Sequence, residues 1–398
     1  MLNRIKSILA DFFQQADIVL LGLCCAATIF GLFLIASATR YMVPFPGRML
    51  RYVGVQGVAM LIGVCCYIVL SMVDLEIIMK KWKWMALFNF LFIGLLLTPL
   101  GIGGSTHGNQ AWLRFPGIPF NIGPAEIVKI SFTLLLAKQL EYLRDDRRDL
   151  KSFSSAFQVG GHTLLLMGWY VAISGDMGNA LTFFFIFLCM SFAAGFALRW
   201  FVLVFAGGAA GISAALALNL MPSYMQNRFH VLFDHSFDPT GVGWQQTRSL
   251  LAIGSGGFWG QGYMNGTQTQ AGNGSIPYQW TDFIFAVCGE ELGMIGCLAV
   301  MAILAAIIIR VLMVAKNTLS NFHSYVCVGM AAMMIYQTII NIGMCLFVMP
   351  TIGVTLPFFS YGGSSVVTLF MAMGVVSGIK KRSPVMRRKP GKPIRSSI

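Results

Sequence analysis

Three acidic residues stand where a polar, glycine-rich segment runs into a long apolar stretch. Asp282 lies at the start of that stretch, and Glu290 and Glu291 follow inside it. A carboxylate at membrane depth is energetically unfavourable and usually faces a wet cavity or a partner, so it marks a candidate functional site. The glycines of residues 249–281 let the backbone fold tightly and approach a ligand closely. We therefore take Asp282 as the candidate catalytic residue, acting as a proton-accepting base.

Asp282 also has a structural interpretation, because Thr281 and Asp282 are residue types that commonly cap a helix N-terminus. A helix terminus lowers the pKa of a carboxyl group, whereas burial in a cleft raises it. The sequence leaves open which effect is larger. Glu290 and Glu291 are adjacent and cannot both point the same way on a helix, so we expect one to face a cavity and the other a polar neighbour.

The composition is that of a polytopic membrane protein. The chain has 398 residues, of which 57% are hydrophobic and 11% charged, with a net charge of +13 and a mean hydropathy of +0.73. The basic residues cluster between apolar runs and in the tail, a pattern typical of cytoplasmic loops near anionic membrane lipid rather than of nucleic-acid binding. None of the nine cysteines or five histidines has metal-ligand spacing, so we assign no metal-binding residue.

Runs of about 20 residues with little fixed charge predict an all-α fold with ten transmembrane helices. The predicted spans are 18–38, 53–72, 85–100, 124–140, 153–174, 177–198, 200–219, 281–310 and two within 317–379, divided by the Pro/Gly-rich residues 350–365. The predicted regions are a cytoplasmic N-terminus (1–17), a transmembrane domain (18–379) with a large extracytoplasmic loop (220–280) between helices 7 and 8, and a basic cytoplasmic tail (380–398).

The distribution of basic residues predicts the orientation. Of the 28 Lys and Arg residues, 21 fall on the side of both termini, six fall on the opposite side, and Lys129 lies in a predicted span. By the positive-inside rule both termini are cytoplasmic, and Asp282 with the glycine-rich loops faces the extracytoplasmic side.

Two further charged sites lie within or between predicted spans. Glu126 and Lys129 are three residues apart, hence on one face of a helix, where they form either a structural ion pair or part of a polar cavity. Asp176 follows Gly175 in a turn so tight that the flanking helices must be antiparallel neighbours.

The remaining candidates lie on the predicted extracytoplasmic side. Basic side chains there, Arg48 and Arg228 among them, bind an anionic pyrophosphate or merely snorkel at the membrane surface. The polar run around Ser360, Gly362 and Ser364 is either an ordinary helix N-terminus or an anion-binding one. Trp112 lines the site or belongs to an interfacial aromatic belt. Gln268, in the glycine-rich loop, completes the substrate-binding candidates.

Several segments together resemble the SEDS family, which includes RodA, FtsW and SpoVE. They are TDFIFAVCGEELG (281–293), AIGSGGFWGQGYMNGTQTQ (252–270), LPFFSYGGSS (356–365), GNQAWL (108–113), PAEIVK (124–129), DMGNA (176–180) and INIG (340–343). The resemblance covers most of the chain, and GTQTQ (266–270) looks more like RodA than FtsW. One departure is that Pro277-Tyr278-Gln279-Trp280 stands where the family usually has Pro-Glu-x-His, which leaves Asp282 as the sole carboxylate of that loop end.

The resemblance implies a peptidoglycan glycosyltransferase that polymerises lipid II in the bacterial inner membrane. It assigns the essential acid to Asp282 and places Trp112, Glu126, Lys129 and Asp176 around the same cavity. It also implies a class B penicillin-binding protein as partner, for which the small residues Gly329, Ala331 and Ala332 would offer a helix-packing surface. A divalent cation, Mg²⁺ or Mn²⁺, is implied by the family and by pyrophosphate chemistry.

Two other functions fit the same features. A lipid II flippase would also need many spans and intramembrane charges, and a scaffold that recruits wall enzymes would need no base. Polar loops concentrated on one face favour chemistry on that face. Within the family, a division or sporulation polymerase is the alternative to the RodA-like role in elongation.

Overall fold

The fold is described from a computed structural model that covers residues 16–41, 47–103, 109–145, 150–218, 223–234, 242–271 and 275–382. Residues 1–15 of the predicted cytoplasmic N-terminus and residues 383–398 of the predicted basic tail lie outside this part. The helices are α1 (Ile18–Arg40), α2 (Gly47–Met72), α3 (Leu75–Met79), α4 (Trp82–Gly94), α5 (Pro124–Asp145), α6 (Phe153–Ser174), α7 (Met177–Ala194), α8 (Leu198–Ala217), α9 (Ser223–Phe233), α10 (Val242–Gly256), α11 (Ile284–Asn317), α12 (Asn321–Cys345) and α13 (Gly363–Arg382).

Eight of the described helices are long and apolar enough to cross a membrane, namely α1, α2, α6, α7, α8, α11, α12 and α13. The predicted third span corresponds to the shorter apolar segment Trp82–Leu97, in which α4 continues into a 3₁₀ turn. The predicted fourth span is α5, which carries Glu126 and Lys129 in its first turns. The all-helical polytopic fold is confirmed, while the count of ten spans stays a prediction.

The helices pack through small residues where backbones approach closely. A methyl group added at Gly63 of α2 would lie 2.7 Å from the Phe370 ring of α13, and one at Gly374 would lie 2.7 Å from the backbone of Tyr67. Helix α12 packs against α5, α7 and α11 in the middle of the bundle. In contrast, none of the residues of α8 is buried.

The prediction that Gly329, Ala331 and Ala332 of α12 offer a surface to a partner is wrong. Ala331 and Ala332 are each only 1% exposed, and a methyl group added at Gly329 would contact Thr133 of α5 and Met190 of α7. These small residues therefore serve helix packing inside the chain, and they are not available to a second protein.

One end of the bundle is joined by a buried acid, Asp17, at the N-cap of α1. Arg310 donates two hydrogen bonds to its carboxylate, at 2.9 and 3.1 Å, and Lys380 lies 3.0 Å from the same group. Tyr67 donates to the Asp17 carbonyl at 2.8 Å. We call this the basic end, because Lys138, at the last turns of α5, also lies here, beside the Phe322 ring at the start of α12.

Helix α11 is broken at Gly293, whose φ of 65° and ψ of −162° lie outside the helical region. The loop after α10 replaces the missing helical hydrogen bonds. The Gln261 amide donates to the Glu290 carbonyl at 2.9 Å, and the Met294 amide donates to the Gly257 carbonyl at 3.0 Å. Irregular backbone at membrane depth persists only where its polar groups are satisfied in this way.

Candidate active site around Asp282

Asp282 is held in a turn and not at the cap of a helix. Tyr278, with a φ of 53°, accepts hydrogen bonds through its carbonyl from the amides of Thr281 and Asp282, both at 3.0 Å. Helix α11 begins only at Ile284, and its N-cap residue is Phe283, which makes no side-chain cap hydrogen bond. The structural interpretation of Asp282 as an ordinary N-cap is therefore not supported.

The segment between α12 and α13 lies against this turn. The side-chain amide of Asn341 donates to the carbonyl of Asp282 and to that of Val354, both at 2.8 Å. A methyl group added at Gly353 would lie 3.9 Å from Asp282 Oδ2, and Gly353 has a φ of 69°. On its other side the segment meets α7, because a methyl group at Gly178 would contact the Ile352 carbonyl. Residues 352–354 thus lie between Asp282 and the start of α7.

The electrostatics of the site favour a proton acceptor. Asp282 precedes α11 and is half-buried. Burial, followed by the negative charge of Asp176, raises its pKa to about 6, while a hydrogen bond from Thr281 and the positive charge of Arg228 act in the opposite direction. The direction of the pKa shift, which the sequence left open, is therefore upward. A carboxylate with this pKa is ionised at neutral pH and more basic than an ordinary Asp.

Asp176 ends a continuous chain of polar contacts that crosses three helices. The Lys129 ammonium lies 2.8 Å from Glu126 Oε1 and donates to Asn179 Oδ1 at 3.1 Å. The Asn179 amide donates to Asp176 Oδ2 at 2.8 Å, and the Tyr170 hydroxyl donates to the same oxygen at 3.0 Å. The two interpretations of Glu126 and Lys129, as an ion pair and as part of a polar cavity, are thus compatible, since the pair connects to Asp176, whose charge acts on Asp282.

The antiparallel turn predicted at Gly175 is confirmed and explains the position of Asp176. Gly175 ends α6 in the left-handed conformation, with a φ of 69°. Asp176 then caps α7 by accepting a hydrogen bond from the Asn179 amide at 3.2 Å. The residue types Asp and Asn at this spacing could have suggested the cap, whereas nothing in the sequence indicates the contact with Tyr170.

Trp112 lies beside the start of α5. It belongs to β2 (Trp112–Leu113), which pairs in antiparallel fashion with β1 (Gly101–Ile102). A methyl group at Gly123 would lie 3.3 Å from the Trp112 ring and 3.4 Å from Glu126. The Trp112 side chain is 38% exposed, so its ring is accessible next to the polar chain that leads to Asp176.

The polar run before α13 fastens the loops of the site. Ser360 donates to the Thr281 carbonyl at 2.6 Å and accepts from the Leu356 amide at 2.8 Å. Ser364 accepts from the Gly123 amide at 3.1 Å, and the Gly362 amide donates to Gln56 at 3.1 Å. These contacts assign Ser360, Gly362 and Ser364 a positioning function. Gln56, a buried polar residue of α2, was missed because a lone glutamine in a span carries no motif.

The remaining predicted site residues differ in whether they contact or influence Asp282. Arg228 of α9 is half-buried and its charge acts on Asp282. Arg48 is exposed in the first turn of α2. Gln268 accepts hydrogen bonds from Arg248 at 3.2 Å and from Ser275 at 2.8 Å. The structure thus groups Arg228 with Asp282, whereas no described contact connects Arg48 or Gln268 to it.

Glu290 and Glu291 both bind the glycine-rich loop, contrary to the expectation that they would serve different surroundings. Glu290 accepts from the amides of Gln268 and Thr269 at 2.7 and 2.8 Å. Glu291 accepts from the Met264 amide at 3.0 Å, from Ser37 of α1 at 2.6 and 2.7 Å, and from Gln270 at 2.9 Å. Both glutamates are fully buried, and they fix loop 264–270 against the core.

The residues around Asp282 do not form a ready metal cage. Among the described residues, no group of three or more His, Cys, Asp or Glu side chains is placed to hold a metal ion. The nearby carboxylate of Asp176 is already engaged with Tyr170 and Asn179.

Comparison with known proteins gives a consistent assignment. Residues 17–384 match the cell cycle protein family FtsW/RodA/SpoVE. The chain is 30% identical over 373 residues to a probable peptidoglycan glycosyltransferase FtsW of Trichlorobacter lovleyi, which covers 92% of this chain and 93% of the relative. A protein of the same name from Geobacter sp. strain M18 is 31% identical over 371 residues, covering 92% and 97% respectively.

Two solved structures share the fold at 24% identity, and each comparison covers 93% of this chain and 98% of the other. A chain from a study of how a peptidoglycan synthase complex coordinates polymerisation and crosslinking superposes with a TM-score of 0.74. The rod shape determining protein RodA of Thermus thermophilus superposes with a TM-score of 0.65. With the family match extending over nearly the whole described chain, the protein belongs to the FtsW/RodA/SpoVE family of cell cycle proteins, the SEDS family.

Proposed function

We propose that this protein polymerises lipid II into β-1,4-linked glycan strands and releases undecaprenyl pyrophosphate, with Asp282 as the general base. The class of enzyme predicted from the sequence, a peptidoglycan glycosyltransferase, is confirmed by relatives of that name at about 30% identity over most of the chain. The observation that carries the assignment of the base is the half-buried Asp282, whose pKa of about 6 results from burial and from the charge of Asp176.

The reaction needs one base. The 4-hydroxyl of the acceptor GlcNAc attacks the anomeric carbon of the donor MurNAc, the bond to the pyrophosphate oxygen breaks, and Asp282 takes the hydroxyl proton. Because the donor linkage is α and the product β, a single displacement with inversion is the simplest route. Proton removal by a well-placed base contributes roughly 10²–10⁴-fold to a rate, so positioning and leaving-group stabilisation must supply the rest.

Other residues would position and polarise the reactants. Asp176 raises the basicity of Asp282, and the Glu126–Lys129 pair orients Asn179 and through it Asp176. The exposed ring of Trp112 offers a flat apolar surface of the kind that stacks on a sugar. Basic groups near the site, foremost Arg228, would face the pyrophosphate, where charge-assisted hydrogen bonds are strong.

A divalent cation, Mg²⁺ or Mn²⁺, belongs to the proposal as a partner of the substrate. When bound to a pyrophosphate, such an ion stabilises the departing negative charge. Removal of divalent cations with EDTA and their return one at a time, with polymerisation of lipid II as readout, tests this requirement. Polymerisation at the full rate in EDTA would remove the cation from the mechanism.

The family and the apolar helices indicate a multi-pass protein of the bacterial inner membrane. We further propose that both termini are cytoplasmic and that Asp282 faces outward, since basic residues concentrate at the end opposite to Asp282. A class B penicillin-binding protein is the proposed partner, supported by the likeness in fold to a chain of a peptidoglycan synthase complex. Its contact surface must lie elsewhere than on the buried Gly329, Ala331 and Ala332.

The cellular role is proposed to be elongation, on the basis of the RodA-like sequence GTQTQ at 266–270. The relatives named above are FtsW proteins, which speaks for division, and the structural likeness to RodA concerns the fold alone. Depletion of the protein in its own host separates the roles, because loss of an elongation polymerase gives round cells and loss of a division polymerase gives filaments.

The decisive experiment is polymerisation of labelled lipid II by the purified protein with its partner. We expect Asp282→Asn, which keeps the shape of the side chain and removes its basicity, to abolish chain formation. Asp74→Asn is the matched control, since Asp74 is also an acid just before a helix but lies at the N-cap of α3 toward the basic end. Polymerisation at the normal rate by a folded Asp282→Asn protein would refute the assignment of the base.

The same preparation distinguishes the two other functions. A flippase would move fluorescent lipid II across proteoliposomes without forming a glycosidic bond, and the movement would survive Asp282→Asn. A scaffold would retain its partner and show no polymerisation of its own. Glycan chains that require Asp282, with partner binding unchanged in the variant, exclude both.

A further inference from the structure

An apolar groove lies in the half of the bundle away from Asp282. Helices α6, α7 and α8 enclose an apolar groove of about 270 Å³. Its wall includes Phe157, Gly161 and Leu164 of α6, Phe187 of α7, and Leu203 of α8. Phe157, Leu164 and Leu203 are 70%, 59% and 61% exposed, so the groove opens sideways where the surface is apolar.

The groove lies toward the basic end. Its lining on α6 comes from residues 153–164, the first half of that helix, whereas Asp176 follows the last residue of the same helix. The flank of the groove formed by α8 is largely open, since no residue of α8 is buried and its ring contacts, Trp200 with Phe153 and Phe201 with Phe192, lie in its first turn. The groove is thus separate from the site around Asp282.

One end of the groove is polar and positively charged. Arg199 and the Trp200 indole both donate to the Lys151 carbonyl, at 2.6 and 3.0 Å, and the Arg199 guanidinium lies 5.1 Å from the Trp200 ring centre. Nearby, Ser191 lines the groove and is only 2% exposed. Its hydroxyl has no hydrogen-bond partner among the described residues. Since buried hydroxyl groups normally have a hydrogen-bond partner, we expect a ligand atom to lie next to the Ser191 hydroxyl.

The shape and polarity of the groove identify the class of occupant. Its lining is apolar apart from Thr163 and Ser191, and it opens sideways over exposed apolar side chains, so a flexible acyl chain can follow it. The exposed Arg199 beside the mouth suits a phosphate. Because Arg199 lies at the basic end, the fitting source is a membrane phospholipid and not the pyrophosphate of a substrate that reacts at Asp282.

We infer that this groove is a binding site for one anionic phospholipid of the leaflet at the basic end. Its acyl chain lies between α6, α7 and α8, its phosphate meets Arg199, and an ester oxygen accepts the hydrogen bond of Ser191. The bound lipid covers the open side of α8 that faces the groove. The inference does not depend on the proposed polymerase activity.

Native mass spectrometry of the full chain tests the site by titration with dioleoyl phosphatidylglycerol, with dioleoyl phosphatidylethanolamine as the zwitterionic comparison. We expect one phosphatidylglycerol to be retained more tightly than phosphatidylethanolamine. Arg199→Gln should weaken its binding about fivefold, the usual contribution of one basic residue toward anionic lipid. Gly161→Leu should weaken it roughly 15- to 60-fold, because the leucine displaces two or three methylene groups of the chain.

Matched controls exist for both variants. Lys316→Gln removes an exposed base from the end of α11, and Gly168→Leu makes the same exchange on α6 outside the groove. At Gly161 and Gly168 alike, an added methyl group would meet nothing within 4 Å, so the first carbon of the new side chain has room at both positions. Both controls should bind phosphatidylglycerol as the unaltered protein does.

Several outcomes would overturn the inference. Equal retention of the two phospholipids, or unchanged binding by Arg199→Gln, would remove the phosphate contact. Unchanged binding by Gly161→Leu, with a melting temperature equal to that of Gly168→Leu, would remove the acyl chain from the groove. Displacement of phosphatidylglycerol by equimolar undecaprenyl phosphate would assign the groove to a polyprenyl carrier instead.

Discussion

The charges around Asp282 predict that two substitutions move the pH dependence of the enzyme in opposite directions. Asp176 raises the pKa of Asp282 and Arg228 lowers it. Asp176→Asn should therefore shift the acid limb of kcat/KM to lower pH, and Arg228→Gln should shift it to higher pH. Asparagine is as good an N-cap as aspartate, so α7 should keep its start.

The magnitude follows from the pKa of about 6. A group with this pKa is about nine-tenths ionised at pH 7 and about one-tenth ionised at pH 5, so kcat/KM should fall roughly tenfold across that interval. An ordinary aspartate would lose almost nothing over the same range. Burial is the larger cause of the raised pKa and Asp176 the second, so Asp176→Asn should move the midpoint down by about 0.5–1 pH unit.

Initial rates of lipid II polymerisation at low substrate concentration, measured from pH 5 to 8.5, give the profile of the free enzyme. Either variant can also lower the rate at every pH, since both residues lie close to the site, but the position of the limb is independent of that loss. Asp74→Asn should leave the profile unchanged. A wild-type profile that is flat down to pH 5, or an upward shift in Asp176→Asn, would refute the electrostatic argument.

Three further predictions concern stability. Asp282→Asn should increase the free energy of unfolding at pH 8 by about 1–3 kcal/mol and raise the melting temperature with it, because an acid whose folded pKa is raised destabilises the fold once it ionises. The melting curves of the two proteins should converge below about pH 4. In denaturation assays, Asp17→Asn should lower the free energy of unfolding by about 1–3 kcal/mol, because Arg310 and Lys380 lose their acid. The control Glu141→Gln, in the exposed pair with Lys138, should change it by under about 0.5 kcal/mol. The pKa of Asp17 is lowered, since hydrogen bonds from its two cations outweigh its burial, so this contribution should be lost as the pH falls through its folded pKa. Gly293→Ala should destabilise by about 1–3 kcal/mol, because its positive φ strains any other residue and an added methyl group would meet the backbone of the loop after α10, whereas Gly211→Ala, in open space on α8, should melt as the wild type does.

The sequence predicted well what depends on a run of apolar residues. The first span was expected at 18–38 and α1 covers Ile18–Arg40, and the turn at Gly175 was placed correctly because two long spans left only two residues between them. The expected start of the eighth span near Thr281 was three residues early. Hydropathy does not register the turn at Tyr278, which delays the helix to Ile284.

What the sequence could not reveal depends on contacts between distant segments. Glu290 and Glu291 look like two intramembrane charges, and their function in holding loop 264–270 becomes visible only where the loop folds back on them. The span remains apolar across the break at Gly293, so a hydropathy profile does not reveal that the helix is broken there. Gly329 suggested an outer packing surface, although small residues serve inner and outer helix contacts alike.

The chain of polar contacts that ends at Asp176 keeps the charge of Lys129 away from the Asp176 carboxylate. Lys129 is the one fixed positive charge in it, and Glu126 at 2.8 Å offsets that charge. The donors that reach the Asp176 carboxylate among the described residues are the neutral Tyr170, and the amides of Asn179. No cation donates a hydrogen bond to Asp176 among the described residues, and its negative charge acts on Asp282. An arrangement in which Lys129 contacted Asp176 directly would weaken this effect and leave Asp282 a poorer base. In the proposed mechanism, the ion pair with Glu126 therefore supports the base by holding the lysine away from Asp176.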